Sequence, residues 1–198
     1  MYTEKDRHGN KEVCPMKSLE TERLTLKMFT LEDAEELYAY ARNPNVGPHA
    51  GWSPHKSVHE SKEIIKQLFI PVETWAIRLK DQDRVIGSIG LEHDKYRPDA
   101  NSKELGYSLA EEFWRQGIMT EAAKEVIRFG FEELALEQIG ICTGTANIRS
   151  QSVIRKCGFK YEGTIRRTYK IYDGTLRDSM VYSLLKEEYE AMKEKEEQ

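Results

Sequence analysis

The sequence predicts a mixed α/β (α+β) fold, built on a central, mostly antiparallel twisted sheet of about seven strands flanked by helices, and three observations predict it. Apolar residues alternate in some segments and recur at helical spacing in others, and the two kinds of segment interleave. The order reads strand, two helices, three strands, helix, strand, helix, two strands, without the strict βαβα alternation of a dinucleotide-binding domain. A chain of 198 residues, 39% of them hydrophobic, supports one sizeable core and is short for two.

Each element has a local reason. SLETERLTLKMF (18–29) alternates, so that Leu19, Leu24, Leu26 and Met28 share apolar faces of one strand. Thr30 opens a helix with Asp33 as its box partner, and Leu31, Ala34, Leu37, Tyr38 and Ala41 form the stripe. NPNVGPHAGWSPH (43–55) holds three prolines, two glycines and Trp52, and reads as a loop. Ser57 and Glu60 make a second capping box, ahead of a helix to about Phe69 lined by Val58, Ser61, Ile65 and Leu68. WAIRLK (75–80) and RVIGSIGLEH (84–93) form a hairpin, and KELGYSL (103–109) a further strand. Met119, Ala122, Ala123, Val126, Ile127, Gly130 and Leu134 fit a helical period. QIGICTGT (138–145) is a strand, and Asn147 to Cys157 a helix that Gly158 stops. The last two strands close as a hairpin around Asp173-Gly174. Residues 1–17 are polar and expected to be a disordered extension, 18–186 a single domain, and 187–198 a charged helix or tail.

Composition excludes several classes. A net charge of −4 disfavours a nucleic-acid partner and suits a cationic substrate. Cys14, Cys142 and Cys157 are odd in number and widely spaced, which fits neither a disulfide framework nor a zinc ribbon. His55 and His59 stand four apart, with His49 near, but there is no HExxH and no metal is expected. The N-terminus lacks the apolar stretch of a signal peptide, and no run is long enough to cross a membrane, so the expected location is cytoplasmic. GxGxxG and GxxxxGK[ST] are absent.

The stretch EEFWRQGIMTEA (111–122) sets Gly117 where a polar approach becomes a helix. A glycine there eases a tight turn or lets a ligand reach the backbone. ELGYSLAEEFWRQGIMTEA resembles the acetyl-CoA-binding core of the GNAT N-acetyltransferase superfamily. NIRSQSVIRKCGFKYEGTIRR with DGTLRDSMVYSLL, and the opening LETERLTLKMFTLEDAEEL, are similar to its ribosomal-protein-type (RimJ/RimL-like) N-terminal acetyltransferase branch. The resemblance spans about residues 19 to 186 and implies the GNAT fold, with strands splayed at the cofactor site.

The resemblance also implies roles. Gln116, Gly117, Ile118, Met119 and Thr120 would cradle the coenzyme A diphosphate at a helix N-terminus, with Arg115 adding charge where the family usually has glycine. Backbone groups of Ser108, Leu109 and Ala110 would hold the pantetheine arm, and Asn147 would bond it from the other side. A backbone N–H near Leu109 would take the developing oxyanion. Ser150 would stand near the sulfur as a hydrogen-bond donor to the leaving thiolate. Tyr169 occupies the position where some members carry a basic glutamate, so Glu104, and after it Glu92, are the candidate general bases. Trp52 and His55 lie on the loop that the family places at the acceptor, and Asp178 is expected to hold the last hairpin. The implied activity is acetyl transfer from acetyl-CoA to a primary amine, a protein N-terminus or a small molecule, with a non-catalytic acetyl-CoA binder as the third possibility. Exposed edges at the C-terminal hairpin permit a homodimer.

Overall fold

The structure is a computed structural model, and it describes Thr3–Lys5, Lys11–Val13 and residues 17–196. Within the segment expected to be disordered, β1 (Thr3–Lys5) pairs antiparallel with β2 (Lys11–Val13); the rest of that expectation lies outside the described residues. The main sheet has eight strands in the order β3-β4-β5-β6-β7-β8-β10-β9. They are β3 (Leu19–Glu20), β4 (Leu24–Met28), β5 (Trp75–Leu79), β6 (Val85–His93), β7 (Ser102–Leu109), β8 (Gln138–Gly144), β9 (Lys160–Lys170) and β10 (Leu176–Leu185). Every neighbouring pair is antiparallel except β7 with β8.

The eighth strand arises where one was expected. Residues 18–29 do not run through: the Thr21 N–H bonds the Leu24 carbonyl, and Leu19–Glu20 folds back on Leu26–Thr25. Thr21, Glu22 and Arg23 are polar enough to turn at the surface, and this places Arg23 beside the distant helix described below.

Helices cover both faces. On one lie α4 (Ile118–Glu132), α5 (Ile148–Lys156) and α6 (Lys186–Glu196); on the other lie α1 (Ala34–Ala41), α2 (Gly47–Ala50) and α3 (Val58–Ile64). α4 buries the expected stripe against the sheet as far as Gly130, Ala122, Ala123 and Val126 reaching zero exposure, while Leu134 falls past its end and is half-buried; each Val- or Leu-sized side chain buried contributes about 1.5–3 kcal/mol. A Cβ on Gly130 would come within 2.9 Å of the Ile139 side chain, so that glycine sets how closely α4 lies on β8. Trp75, fully buried, meets Phe129 edge-on at 5.5 Å and donates its indole N–H to the Lys17 carbonyl at 2.9 Å. The charged C-terminal segment docks rather than trails: Tyr189 stacks on Phe131 at 4.9 Å and bonds Glu132.

Other expectations need correction. The second helix continues through a π turn at Ile65–Phe69, where only Ser61 and Ile65 of the expected stripe are buried; Val58 and Leu68 are exposed. Tyr40, not Tyr38, completes the buried stripe of α1. The loop of residues 43–55 holds α2, and the last hairpin closes through residues 171–175, with Gly174 in the left-handed region at φ +86°.

Candidate active site

The site begins where two parallel strands part. β7 and β8 pair only at Ser102–Gln138, Lys103–Ile139 and Glu104–Gly140. β7 stays paired with β6 as far as Leu109–Gly87, and β8 with β10 as far as Gly144–Ser179. Each strand follows its own neighbour, so a gap opens beyond Glu104. Ala110 donates its N–H to the Ile86 carbonyl at 2.8 Å, and Ser108 lies opposite Ser88 in the same phase. Backbone groups alternate along a strand, so Tyr107 and Leu109 turn theirs into the gap. This corrects the expectation: of Ser108, Leu109 and Ala110, only Leu109 offers its main chain to the gap, and Tyr107 joins it. The Leu109 carbonyl already accepts the Trp114 indole N–H at 2.9 Å.

The chain then turns through Glu111–Phe113 into α4, with Arg115 at φ +62° and Gly117 at φ +78°. Both lie in the left-handed region that favours glycine, which gives the family's usual glycine at position 115 a physical reason. Gly117 is the N-cap of α4 and has no side-chain cap, and the first helical bond is from the Glu121 N–H to its carbonyl. The N–H groups of Ile118, Met119 and Thr120 therefore have no partner within the helix. A Cβ on Gly117 would meet nothing nearer than the Arg23 guanidinium at 3.5 Å. An open approach to uncapped donors at a helix N-terminus fits a diphosphate. Gln116 and Arg115 are exposed; the Gln116 side chain folds back to the Glu112 carbonyl at 2.7 Å.

Asn147 and Ser150 stand on the opposite lip. Asn147 caps α5, accepting the Ser150 N–H on Oδ1 at 3.2 Å, and lines the cleft. Ser150 Oγ lies 3.0 Å from the Tyr107 hydroxyl. Burial holds the Tyr107 hydroxyl above its usual range, against the hydrogen bond from Ser150, so it stays protonated.

A cleft of about 530 Å³ opens from this gap, lined by β6, β7, β8 and the start of β10, and Trp52, His55, Glu92, Glu104, Ser108, Asn147, Ser150 and Tyr169 all line it. Its floor is made of cross-strand pairs: Ser88 with Ser108, Gly90 with Gly106, and Glu92 with Glu104. The two serine hydroxyls lie 2.8 Å apart, and the Tyr40 hydroxyl reaches Ser108 at 3.4 Å. Glu104 accepts from the Cys142 thiol at 2.9 Å and from Lys95 at 3.2 Å. Burial, then Glu104, pushes the Cys142 thiol up to about 12. Burial opposes the Lys95 charge, but Cys142 and Glu104 outweigh it and hold the ammonium above its usual value. Glu92 is different. The cleft walls, and then the neighbouring Glu104, hold its carboxyl above the usual carboxylate range, although the open mouth leaves it accessible.

The roof is the loop around α2, tied to the last hairpin. Tyr169 donates its hydroxyl to the Ala50 carbonyl at 3.0 Å, Arg177 donates to the Pro48 carbonyl at 2.7 Å, and the Tyr172 N–H bonds the Gly51 carbonyl at 3.1 Å. Trp52 packs against His55 at 5.1 Å between ring centroids. His55 is buried with Nδ1 2.8 Å from the Ser61 hydroxyl, and burial lowers its pKa, so it is a neutral wall group. Asp178 accepts the N–H of Arg167, whose φ is +51°. Among the described residues, no group of three or more His, Cys, Asp or Glu is placed to hold a metal ion. No helix among them is long and apolar enough to cross a membrane.

Sequence reading missed Tyr107, Lys95, Cys142, Tyr40 and Arg23. The alternation within β7 could have given Tyr107; the others enter through strand pairing and tertiary contact that no local pattern shows.

Strands that diverge beside an uncapped helix N-terminus, with a carboxylate-floored cleft alongside, define an acyl-CoA-dependent acyltransferase. A profile described as "Acetyltransferase (GNAT) domain" matches residues 23–160, and the chain belongs to that family. It is an N-acetyltransferase that uses acetyl-CoA. The uncharacterized N-acetyltransferase YoaA of Bacillus subtilis is 33% identical over 175 residues, covering 85% of this chain and 96% of that protein. YdaF of the same organism, provisionally named a ribosomal N-acetyltransferase, is 40% identical over 90 residues, covering 46% of this chain and 49% of its own. Among solved structures, a GNAT-family acetyltransferase from Bacillus anthracis superposes with a TM-score of 0.77 at 19% identity, covering 86% of this chain and 99% of that one.

Proposed function

We propose that the acceptor is the α-amine of a protein N-terminus and that Glu92 is the general base. The observation that carries this is the contrast on the cleft floor: Glu104 is bound by Lys95 and Cys142, whereas Glu92 faces the cleft with a raised pKa. A carboxylate can take a proton from an α-ammonium, of pKa about 8, far more readily than from a lysine, of about 10.4. The provisional name of YdaF points the same way.

Acetyl-CoA supplies the thioester. The N–H groups of Ile118, Met119 and Thr120 would hold its diphosphate, and the backbone of Tyr107 and Leu109 with the Asn147 amide would hold its arm. Glu92 would take one proton from the bound ammonium, directly or through one water; the amine nitrogen would then bond the acetyl carbon as the carbon–sulfur bond breaks, its second proton passing to the departing thiolate or to water. The N–H of Tyr107 or Leu109 stabilises the charge on the carbonyl oxygen. Ser150, polarised by the Tyr107 hydroxyl, donates a hydrogen bond to the departing sulfur.

A second reading, a small amine as acceptor, is supported by the roof, because the three bonds from the hairpin to the α2 loop narrow the cleft mouth. Turnover of N-terminal peptides and of small amines under identical conditions tests the two. Peptide acetylation at the α-amine supports the first; brisk turnover of small amines with none of peptides overturns it.

A further inference from the structure

Arg23 lies far along the chain from the cofactor turn, yet it meets that turn directly. Its backbone N–H bonds Glu121 Oε1 at 2.9 Å and its Nε bonds Glu121 Oε2 at 2.6 Å, while Nη1 donates to the Gln116 carbonyl at 3.1 Å. The Thr21 hydroxyl adds a further bond to Glu121 at 2.5 Å. The Arg23 Nη2 also lies 3.5 Å from where a Gly117 Cβ would be. One guanidinium thus grips the first turn of α4, fixes the peptide between the two left-handed residues 115 and 117, and flanks the glycine.

We propose that Arg23 is the positioning residue of the diphosphate site, with Glu121 as its anchor. The inference rests on the coenzyme A reading of that site. Two physical arguments support it. The peptide between Gln116 and Gly117 is the hinge of the turn: a bond to its carbonyl fixes the direction of the Gly117 N–H on the opposite side of the same planar unit. Glu121 is stabilised at a helix start by the helix dipole, but a bare carboxylate there would repel an arriving diphosphate. The ion pair with Arg23, at 2.6 Å, offsets that charge; burial opposes the ionised form, but the Thr21 hydroxyl and then Arg23 outweigh it and hold the Glu121 pKa low. Arg23 remains 44% exposed at its side chain, so its guanidinium can also face the ligand's charge.

The test separates a role at the diphosphate from general support of the fold. Calorimetry with coenzyme A should show affinity weakened roughly tenfold in Arg23→Met, with Arg23→Lys intermediate, a loss in the range of a charge-assisted hydrogen bond. Turnover with S-acetylpantetheine, which carries the thioester but no diphosphate, should stay within about twofold of the native enzyme, because that donor has no diphosphate for the turn to hold. Unchanged coenzyme A affinity in Arg23→Met overturns the proposal. An equal loss with both donors overturns it too, since it would mark a merely structural residue. Native protein without coenzyme A affinity would instead sink the reading of the site itself.

Discussion

Glu92 and Glu104 face each other across β6 and β7, and among the described residues it is Glu104 that Lys95 and Cys142 bond on the cleft floor. Burial first, and the neighbouring Glu104 second, hold Glu92 toward its neutral form. That asymmetry is the support for Glu92 as the proposed base. Glu92→Gln should lower kcat/KM by roughly a hundredfold or more, within the range of lost general-base catalysis, and erase the acid limb of the pH–rate profile. Glu104→Gln should cost less and keep that limb. A retained acid limb in Glu92→Gln would remove Glu92 from the mechanism.

The same raised pKa has a consequence for stability. The folded protein holds the Glu92 proton over a window that begins at the ordinary carboxylate value and ends at the raised one. Within it the folded state binds more protons than the unfolded, so stability falls as pH rises, and the full cost persists above it. Glu92→Gln removes the cost, so it should unfold at a higher temperature than the native protein at neutral pH, with the gain shrinking as pH falls through the window. Thermal melts at a series of pH values measure this. A gain of the same size at acidic pH would contradict the linkage.

How much of this was legible in the sequence follows from locality. The turn at residues 115–117, the helix after it and the cap at Asn147 lie within single short stretches, so their chemistry shows in the residue order. Glu92 and Glu104 were visible as carboxylates on consecutive strands, but their ranking was not, because it depends on Lys95 from the connecting loop and Cys142 from β8. The direction of each backbone group in β7 was hidden as well. A shift of one residue in register reverses it, and only the bond from Ala110 to Ile86 sets the phase. Arg23 looked like one more surface charge until the turn at residues 21–23 broke the expected strand.

Positions 115 and 117 share a left-handed backbone but differ in what surrounds them. Gly117→Ala meets only ordinary contact, at 3.5 Å from Arg23, so its cost is conformational, about 1–2 kcal/mol. The new methyl would also stand in the approach to the uncapped donors. Saturating coenzyme A should raise the native melting temperature, since a ligand at about a hundred times its Kd adds roughly 2.7 kcal/mol. In Gly117→Ala that rise should shrink sharply. Arg115→Gly, which relieves a strained residue on an exposed turn and removes one charge but no backbone donor, should shrink it far less. Melting curves with and without coenzyme A separate the two effects.

Cys142 tests the electrostatic reading of the cleft from another side. Its thiol donates to Glu104 and its pKa is pushed up to about 12, by burial first and by the carboxylate second. The thiolate is the reactive form, so iodoacetamide near neutral pH should leave Cys142 unmodified while free glutathione reacts. Glu104→Gln should lower that pKa and speed the labelling, measured by mass spectrometry of the peptide that contains Cys142. Rapid labelling in the native protein would mean that the thiol does not donate to Glu104.

The roof of the cleft turns on Gly51 and Tyr169. Gly51 has φ +95°, and a Cβ there would fall 2.3 Å from the Tyr169 ring, far inside contact distance. The ring sits over the glycine and sends its hydroxyl to the Ala50 carbonyl, so the loop and hairpin hold each other through one small residue. Gly51→Ala must push the ring away and strain its own backbone, whereas Tyr169→Phe removes only a hydrogen bond worth about 1 kcal/mol. The proposed diphosphate site, at residues 117–120, shares none of these atoms. Gly51→Ala should therefore raise KM for the amine well beyond the effect of Tyr169→Phe, while calorimetric affinity for coenzyme A stays unchanged in both. If coenzyme A affinity falls as far as the amine KM rises, the roof is not a separate acceptor element, and the cleft it covers works with the cofactor site as a single unit.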